Sequence, residues 1–357
     1  MLTNSIRIFR EELDRLKKHL SRLKGIDAVM QTIQNSTIVE HQKEHAVKVL
    51  EKSLNEKIFD YNANIISLYG YWEKFIESVI KEYIESLKLL HTSNDEKNTG
   101  ISNRYKNSLL HLLGNKRSNH KLKHLKDSDL IDGLYKGCVL GKNEYIAEAF
   151  YQSGGNYNYS ETKDCILRLG LKDVDSEMKY YPSIVSYCIS VGMTFNQVKS
   201  SSSEALYKKL DNLVVYRNEI AHGSSDGSNL LDSDQLLEYV KFMEAIGCAV
   251  NDYLNDDLLK ENFKVADGYL AKVRRYFPNI NTAEIKGSDY FLDTSKIVLC
   301  YAGQKNYPHY QKLSIRSIWV NGSPYADRYY LSCNSTDSVT IVFDKLVKRG
   351  YSLKFVQ

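Results

Sequence analysis

The 357-residue sequence predicts an α+β protein built as two domains, an all-α helical bundle followed by a small, mostly-β domain. Apolar residues recur at helical spacing as far as Leu254. Three of the four prolines (278, 308 and 324) lie beyond residue 257, where short alternating runs replace that period. The chain is also long for a single core. The expected division is 1–260 for the helical domain and 261–357 for the β-rich one, with a small barrel as its candidate form.

The elements follow in order. Ile6, Phe9, Leu13, Leu16, Leu20 and Leu23 form a narrow heptad-like stripe, predicting a helix over 5–25 that ends at Gly25. A helix this short must pack on something to persist. A second helical stretch runs from Thr37 to His91, with Asn62 and Gly70 as candidate breaks. Ile66, Tyr69, Trp72, Ile76, Val79, Tyr83 and Leu87 give it one bulky face, read as core. Residues 92–102 read as polar turn, and irregular helices and loops continue to Pro182. A helix is expected over Ser203 to Ala221, and another begins after an Asp232 or Ser233 cap. Strands are expected over Lys296–Tyr301, Lys312–Val320, Ser338–Phe343 and Tyr351–Val356, with Asn321-Gly322 as a tight turn.

Composition narrows the class. With 43% hydrophobic and 26% charged residues the chain has the balance of a folded globular protein. No stretch of 18 apolar residues appears, so no membrane partner is expected. The start lacks the apolar region of a signal peptide, so the expected location is cytoplasmic. The six cysteines form no C-x-x-C pair and read as reduced thiols. Residues 263–357 carry 14 Lys/Arg against 7 Asp/Glu, leaving 34 basic and 37 acidic residues in 1–262. The β-rich part is therefore the basic one, suited to a polyanionic partner or simply to solubility.

One constellation carries chemistry. In Arg217-Asn218-Glu219-Ile220-Ala221-His222, Arg217 and His222 lie five apart, about 140° around an ideal helix. Asn218 and His222 share a face. Gly223 lets the chain leave the helix, which sets His222 on an accessible terminal turn. These side chains suit metal-independent cutting of RNA: imidazole moves protons near neutral pH, and guanidinium clamps phosphate with paired hydrogen bonds. One His does not readily serve as base and acid in one step. Two protomers about a two-fold axis would supply two His and two Arg, which favours a homodimer. The same spacing also fits an ordinary helix end.

Tyr216-Arg217-Asn218-Glu219-Ile220-Ala221-His222-Gly223 resembles the R-N-x-x-x-H signature of HEPN-domain ribonucleases. Leu68-Tyr69-Gly70-Tyr71-Trp72-Glu73-Lys74-Phe75 resembles the W-E-x-F helix of the bacterial RiboL-PSP and MAE-type HEPN-like groups, and the likeness covers roughly residues 50–255. It implies a helical bundle that dimerises through its HEPN helices and cleaves RNA endonucleolytically without a cofactor. Toxin–antitoxin and anti-phage abortive-infection systems are the setting it implies, with an antitoxin or inhibitor protein as a further partner. Arg217 and His222 would be the catalytic pair, with Asn218 and Glu73 in support. HEPN toxins paired with nucleotidyltransferase antitoxins often carry a Tyr two residues after the His, which the partner modifies; here that position is Ser224, and silencing by that route is not implied. The C-terminal strands resemble, in pattern only, the small barrel that forms the second domain of translational GTPases.

Arg316, Trp319 and Arg328 combine cations with aromatic neighbours as single-stranded RNA surfaces do. Lys121 and Lys123 lie in a stretch, Arg104 to Lys126, holding seven Lys/Arg, three His and no acid, a second candidate RNA contact. His41 and His45 fit H-x-x-E-H, which would make a zinc-dependent hydrolase, but solvated charges surround them and no metal is expected. A non-catalytic HEPN-type RNA-binding or partner-docking protein is the main alternative.

Overall fold

The computed structural model describes residues 2–35, 44, 48, 57–90, 96–115, 122–142, 144–151, 156–223, 230–286, 290–331 and 337–356. It divides into two compact units, a helical one (Leu2–Ile84 with Lys97–Asn251) and a second (Glu85–Glu96 with Asp252–Gln357) that contains all the strands. The long helices are α1 (Asn4–Gln34), α2 (Lys57–Leu89), α3 (Glu96–Asn115), α4 (Asp127–Leu134), α5 (Tyr159–Arg168), α6 (Pro182–Ser190), α7 (Ser203–Ala221) and α8 (Ser233–Val265), linked by shorter turns. No helix among the described residues is long and apolar enough to cross a membrane. Of the cysteines, 138, 165, 188, 248 and 300 are free thiols.

The heptad-like stripe packs as its spacing requires, with Phe9, Leu13, Leu16 and Leu20 buried and Phe9 stacked on Phe75 at 4.6 Å. The helix does not stop at Gly25 but runs to Gln34, since a single glycine costs a helix only about 1 kcal/mol. Nor does α2 break at Asn62 or Gly70. Its buried face turns slightly from the expected one, taking Ile65 inside and leaving Ile66 41% exposed. Residues 96–102, expected as turn, open α3; Ile101, Tyr105, Leu109 and Leu112 give that helix a buried stripe.

The strands are β1 (Gly268–Phe277), β2 (Thr282–Lys286), β3 (Tyr290–Asp293), β4 (Ile297–Tyr301), β5 (Tyr310–Val320), β6 (Ser323–Pro324), β7 (Arg328–Leu331), β8 (Val339–Phe343) and β9 (Ser352–Val356). The main sheet runs β4-β9-β1-β2-β8-β5, and pairing of β4 with β5 closes it into an antiparallel six-stranded barrel; β6 extends β5, and β3 and β7 form a separate ladder. The barrel interior is filled by alternate residues such as Val273, Ala283, Ile318, Ile341, Leu353 and Phe355. Asn321 and Gly322, both at positive φ, make the β5–β6 turn. Gly268 is there for room: a Cβ on it would lie 2.3 Å from the Phe355 carbonyl oxygen.

The N-terminus of α1 is capped from another helix. Thr3, which precedes it, makes no side-chain cap. Instead Glu82 of α2 accepts the backbone N–H groups of Thr3 (2.9 Å), Asn4 (3.1 Å) and Ser5 (2.9 Å). Burial acts to raise the Glu82 carboxyl, but the hydrogen bonds from Ser5, Asn4 and Thr3 outweigh it and hold the group below its ordinary value. A depressed carboxylate stabilises the fold above its unfolded pKa and loses that contribution as pH falls through the folded one. Glu82→Gln is expected to cost about 1 kcal/mol at neutral pH, a gap from wild type that closes below roughly pH 4. Urea unfolding at pH 7 and pH 3.5 checks this; an equal gap at both would contradict it.

Candidate active site

Helix α7 starts because Ser202 accepts the Ala205 N–H (3.3 Å), and it stays because Tyr207, Leu210, Leu213 and Val214 bury one face. It ends at His222, whose N–H bonds the Asn218 carbonyl (2.9 Å), while Gly223 turns away at φ +67°. Among the described residues no atom lies within 4 Å of a Cβ on Gly223, and it is the backbone angle that calls for glycine. The His222 side chain is thereby exposed at the helix end. Among the described residues its ring makes no hydrogen bond or ion pair.

Arg217, one turn back and half-buried, is held from three sides. Its Nη1 donates to Asn218 Oδ1 (2.9 Å) and Asn156 Oδ1 (3.2 Å), and Asn156 Nδ2 donates to Asn218 Oδ1 (3.2 Å), closing a triangle. The guanidinium also lies over the Tyr69 ring, 5.0 Å from its centroid. Nη2 and Nε, which carry the other guanidinium donors, bond nothing among the described residues.

Asn156 is placed from below. The next residue, Tyr157, has both polar groups of its backbone taken by α2: its N–H donates to Tyr69 Oη (3.0 Å), and its carbonyl accepts Trp72 Nε1–H (3.0 Å). Trp72 is wholly buried and Tyr69 nearly so, so neither bond competes with water. Beyond it, Asn158 caps α5 through the Glu161 N–H (2.8 Å), and the Tyr159 N–H donates to Asp211 of α7 (2.9 Å). The short segment Asn156–Tyr159 thus ties α2, α5 and α7 together at the Arg217 guanidinium. Burial, and then the neighbouring Cys165, Glu77 and Glu73, push the Tyr157 phenol far above its ordinary value. Its hydroxyl bonds the Tyr151 carbonyl at 2.5 Å.

The structure therefore gathers Arg217 and Asn218 with two residues that spacing did not single out, Asn156 and Tyr69. His222 joins them through the backbone of its own helix turn. Glu73, half-buried on α2, lies beside Tyr157. Lys123 is exposed, and its neighbour His124 faces Glu148 at 3.6 Å; Lys121, His120, Ser224, His41 and His45 lie outside the described residues, and with them the zinc reading. Arg316 and Trp319 stand on β5, and Arg328 on β7. Among the described residues no three His, Cys, Asp or Glu converge as metal ligands. Tyr69 carried a signal in the sequence, but its helical spacing filed it with the core.

Comparison with known families names the class of this helical unit. The RiboL-PSP-HEPN family profile matches residues 31–256, and the chain belongs to that family. The assignment agrees with the likeness read in the R-N-x-x-x-H and W-E-x-F motifs, and it points to RNA cleavage or RNA binding. Neither the curated proteins nor the solved structures give a significant match.

Tyr69→Phe keeps a ring beneath Arg217 but strips the buried Tyr157 N–H of its acceptor. A loss of about 1–3 kcal/mol is expected in urea unfolding. Stability equal to wild type would mean that the Tyr157 backbone does not depend on α2.

Proposed function

We propose that the chain is a metal-independent endoribonuclease acting as a homodimer, with Arg217 and His222 of both protomers lining one cleft. The supporting observation is the state of Arg217: Nη1 and the ring face are committed to Asn156, Asn218 and Tyr69, while Nη2 and Nε, which bond nothing among the described residues, would meet an oxyanion. His222 sits one turn away on an exposed helix end.

In the reaction, His222 of one protomer takes the proton of a ribose 2′-hydroxyl, and that oxygen attacks the adjacent phosphorus. The bond from phosphorus to the 5′-oxygen breaks, and His222 of the partner protomer gives that oxygen a proton. The products are a 2′,3′-cyclic phosphate and a 5′-hydroxyl. Arg217 offsets the negative charge on the non-bridging oxygens as the transition state forms. Holding the guanidinium in place beforehand avoids reorganisation at that moment. A toxin or anti-phage effector restrained by an antitoxin or inhibitor protein is the setting we infer for this activity.

A second reading rests on the same triangle. An Arg bonded to two Asn side chains and an aromatic ring is also what a purely structural Arg looks like, and the chain would then bind RNA or a partner without cutting. Expression of wild type, Arg217→Ala and His222→Ala in a bacterial host, with growth and RNA integrity followed together, separates the two. Wild type is expected to arrest growth with cleaved RNA, and each variant to lose at least about a hundredfold in rate with purified protein. Cleavage should persist in EDTA and leave cyclic phosphate ends. Undiminished cleavage in His222→Ala would reject the mechanism; RNA binding without cleavage by wild type would favour the second reading.

A further inference from the structure

The outer wall of the barrel carries a feature that the cleavage reading does not use. Two β-bulges interrupt it, one in β1 between Val273 and Arg275 and one in β5 between Ile315 and Ser317. Each places an extra residue on the solvent side, and in each the extra residue is an arginine, Arg274 and Arg316. Arg274 and Arg275 both face outward, because both approach Glu284 of β2, at 3.6 Å and 3.8 Å. The same face carries an exposed aromatic near each bulge, Phe277 (46% exposed) on β1 and Trp319 (37%) on β5.

Strand register sets these groups on one surface. Arg275 pairs with Glu284, Glu284 with Thr340, and Thr340 with Trp319. One row over, Phe277 pairs with Thr282, Thr282 with Val342, and Val342 with Ser317, beside Arg316. On the four adjacent strands β1, β2, β8 and β5, Glu284, Thr340, Thr282 and Val342 thus lie between two cation–aromatic pairs. Three strand spacings separate the pairs, roughly 14 Å. The indole is held along its strand by a bond from Trp319 Nε1 to Ser317 Oγ (3.1 Å). Three arginines against two carboxylates, Glu284 and Asp344, leave the face cationic, in a segment that is itself basic. Arg328 is not part of it: that side chain pairs with Asp293 (2.9 Å) on the separate β3–β7 ladder.

We propose that this face is a binding surface for single-stranded RNA, with Trp319 and Phe277 stacking bases and Arg316, Arg274 and Arg275 meeting phosphates. The chemistry selects that ligand. Exposed rings on the outer wall of a sheet offer stacking to unpaired bases, about two or three on four strands, while a duplex keeps its bases out of reach. Arginines spread across the face match a backbone that crosses it. The surface uses no residue of the Arg217 site, and binding alone reads it, whether or not the chain cleaves.

The test is fluorescence anisotropy of the full chain with a short 2′-O-methyl RNA strand, which lacks the attacking hydroxyl. Wild type is expected to bind it at least about tenfold more tightly than the same sequence as a duplex. Trp319→Ala and Phe277→Ala should each weaken binding about tenfold, and Trp319→Phe should restore most of it. Arg275→Gln with Arg316→Gln should flatten the dependence of log affinity on log salt by about 0.7 per lost phosphate contact. These side chains are exposed, so thermal midpoints should stay at the wild-type value. Wild-type affinity in Trp319→Ala and Phe277→Ala, equal binding of strand and duplex, or capture of an acidic peptide but not the strand would each overturn the proposal.

Discussion

The candidate site depends on one backbone unit. Tyr157 contributes no side chain to it, yet its N–H and carbonyl are pinned by Tyr69 and Trp72 of α2, and that pinning sets Asn156 against Arg217. Buried backbone polar groups must find partners, and here two aromatic side chains with polar tips supply them from inside the core. Tyr69 does so twice, through its hydroxyl to Tyr157 and through its ring face to the guanidinium. The W-E-x-F helix is thus more than the centre of the bundle. Its aromatic residues transmit the rigidity of the core to a surface arginine.

The barrel follows a different logic. Closure of β4 on β5 removes the open edges of a small sheet, and its interior takes the apolar half of every strand. What remains for function is the outer half, and there the two bulges matter, since each breaks the strict alternation and adds an arginine to the solvent side. Both units therefore hold Arg beside an aromatic ring. In one the cation is fixed by two Asn side chains and the ring; in the other, cation and ring stand separately on the barrel's outer wall.

Much of this was legible in the sequence, and the exceptions have physical causes. Helix α7 was readable to its last residue because a Ser cap, an apolar stripe and a terminal Gly agree. Strands β8 and β9 were readable because they alternate strictly, and β4 and β5 because they are rich in β-branched and aromatic residues. Strand β1 escaped: its bulge sets Arg274, Arg275, Tyr276 and Phe277 in a run with no period of two, and so the cationic half of the barrel face went unseen. The start of α3 was hidden by a polar first turn. Gly25, Asn62 and Gly70 looked like breaks, but long helices with buried faces tolerate them. Asn156 was beyond reach for another reason. Its role comes from contacts across 61 and 62 residues of sequence, and no local pattern encodes that.

The most direct measurement is a double-mutant cycle on RNA cleavage between Asn156 and Arg217, using single-turnover rates of wild type, Asn156→Ala, Arg217→Ala and the double variant. If Asn156 acts by holding the guanidinium that meets phosphate, Asn156→Ala slows cleavage in the wild-type background. It then has no further effect once Arg217 is gone. Losses that multiply independently would show that Asn156 does not work through Arg217, and would contradict the account of how the Tyr157 segment builds the site.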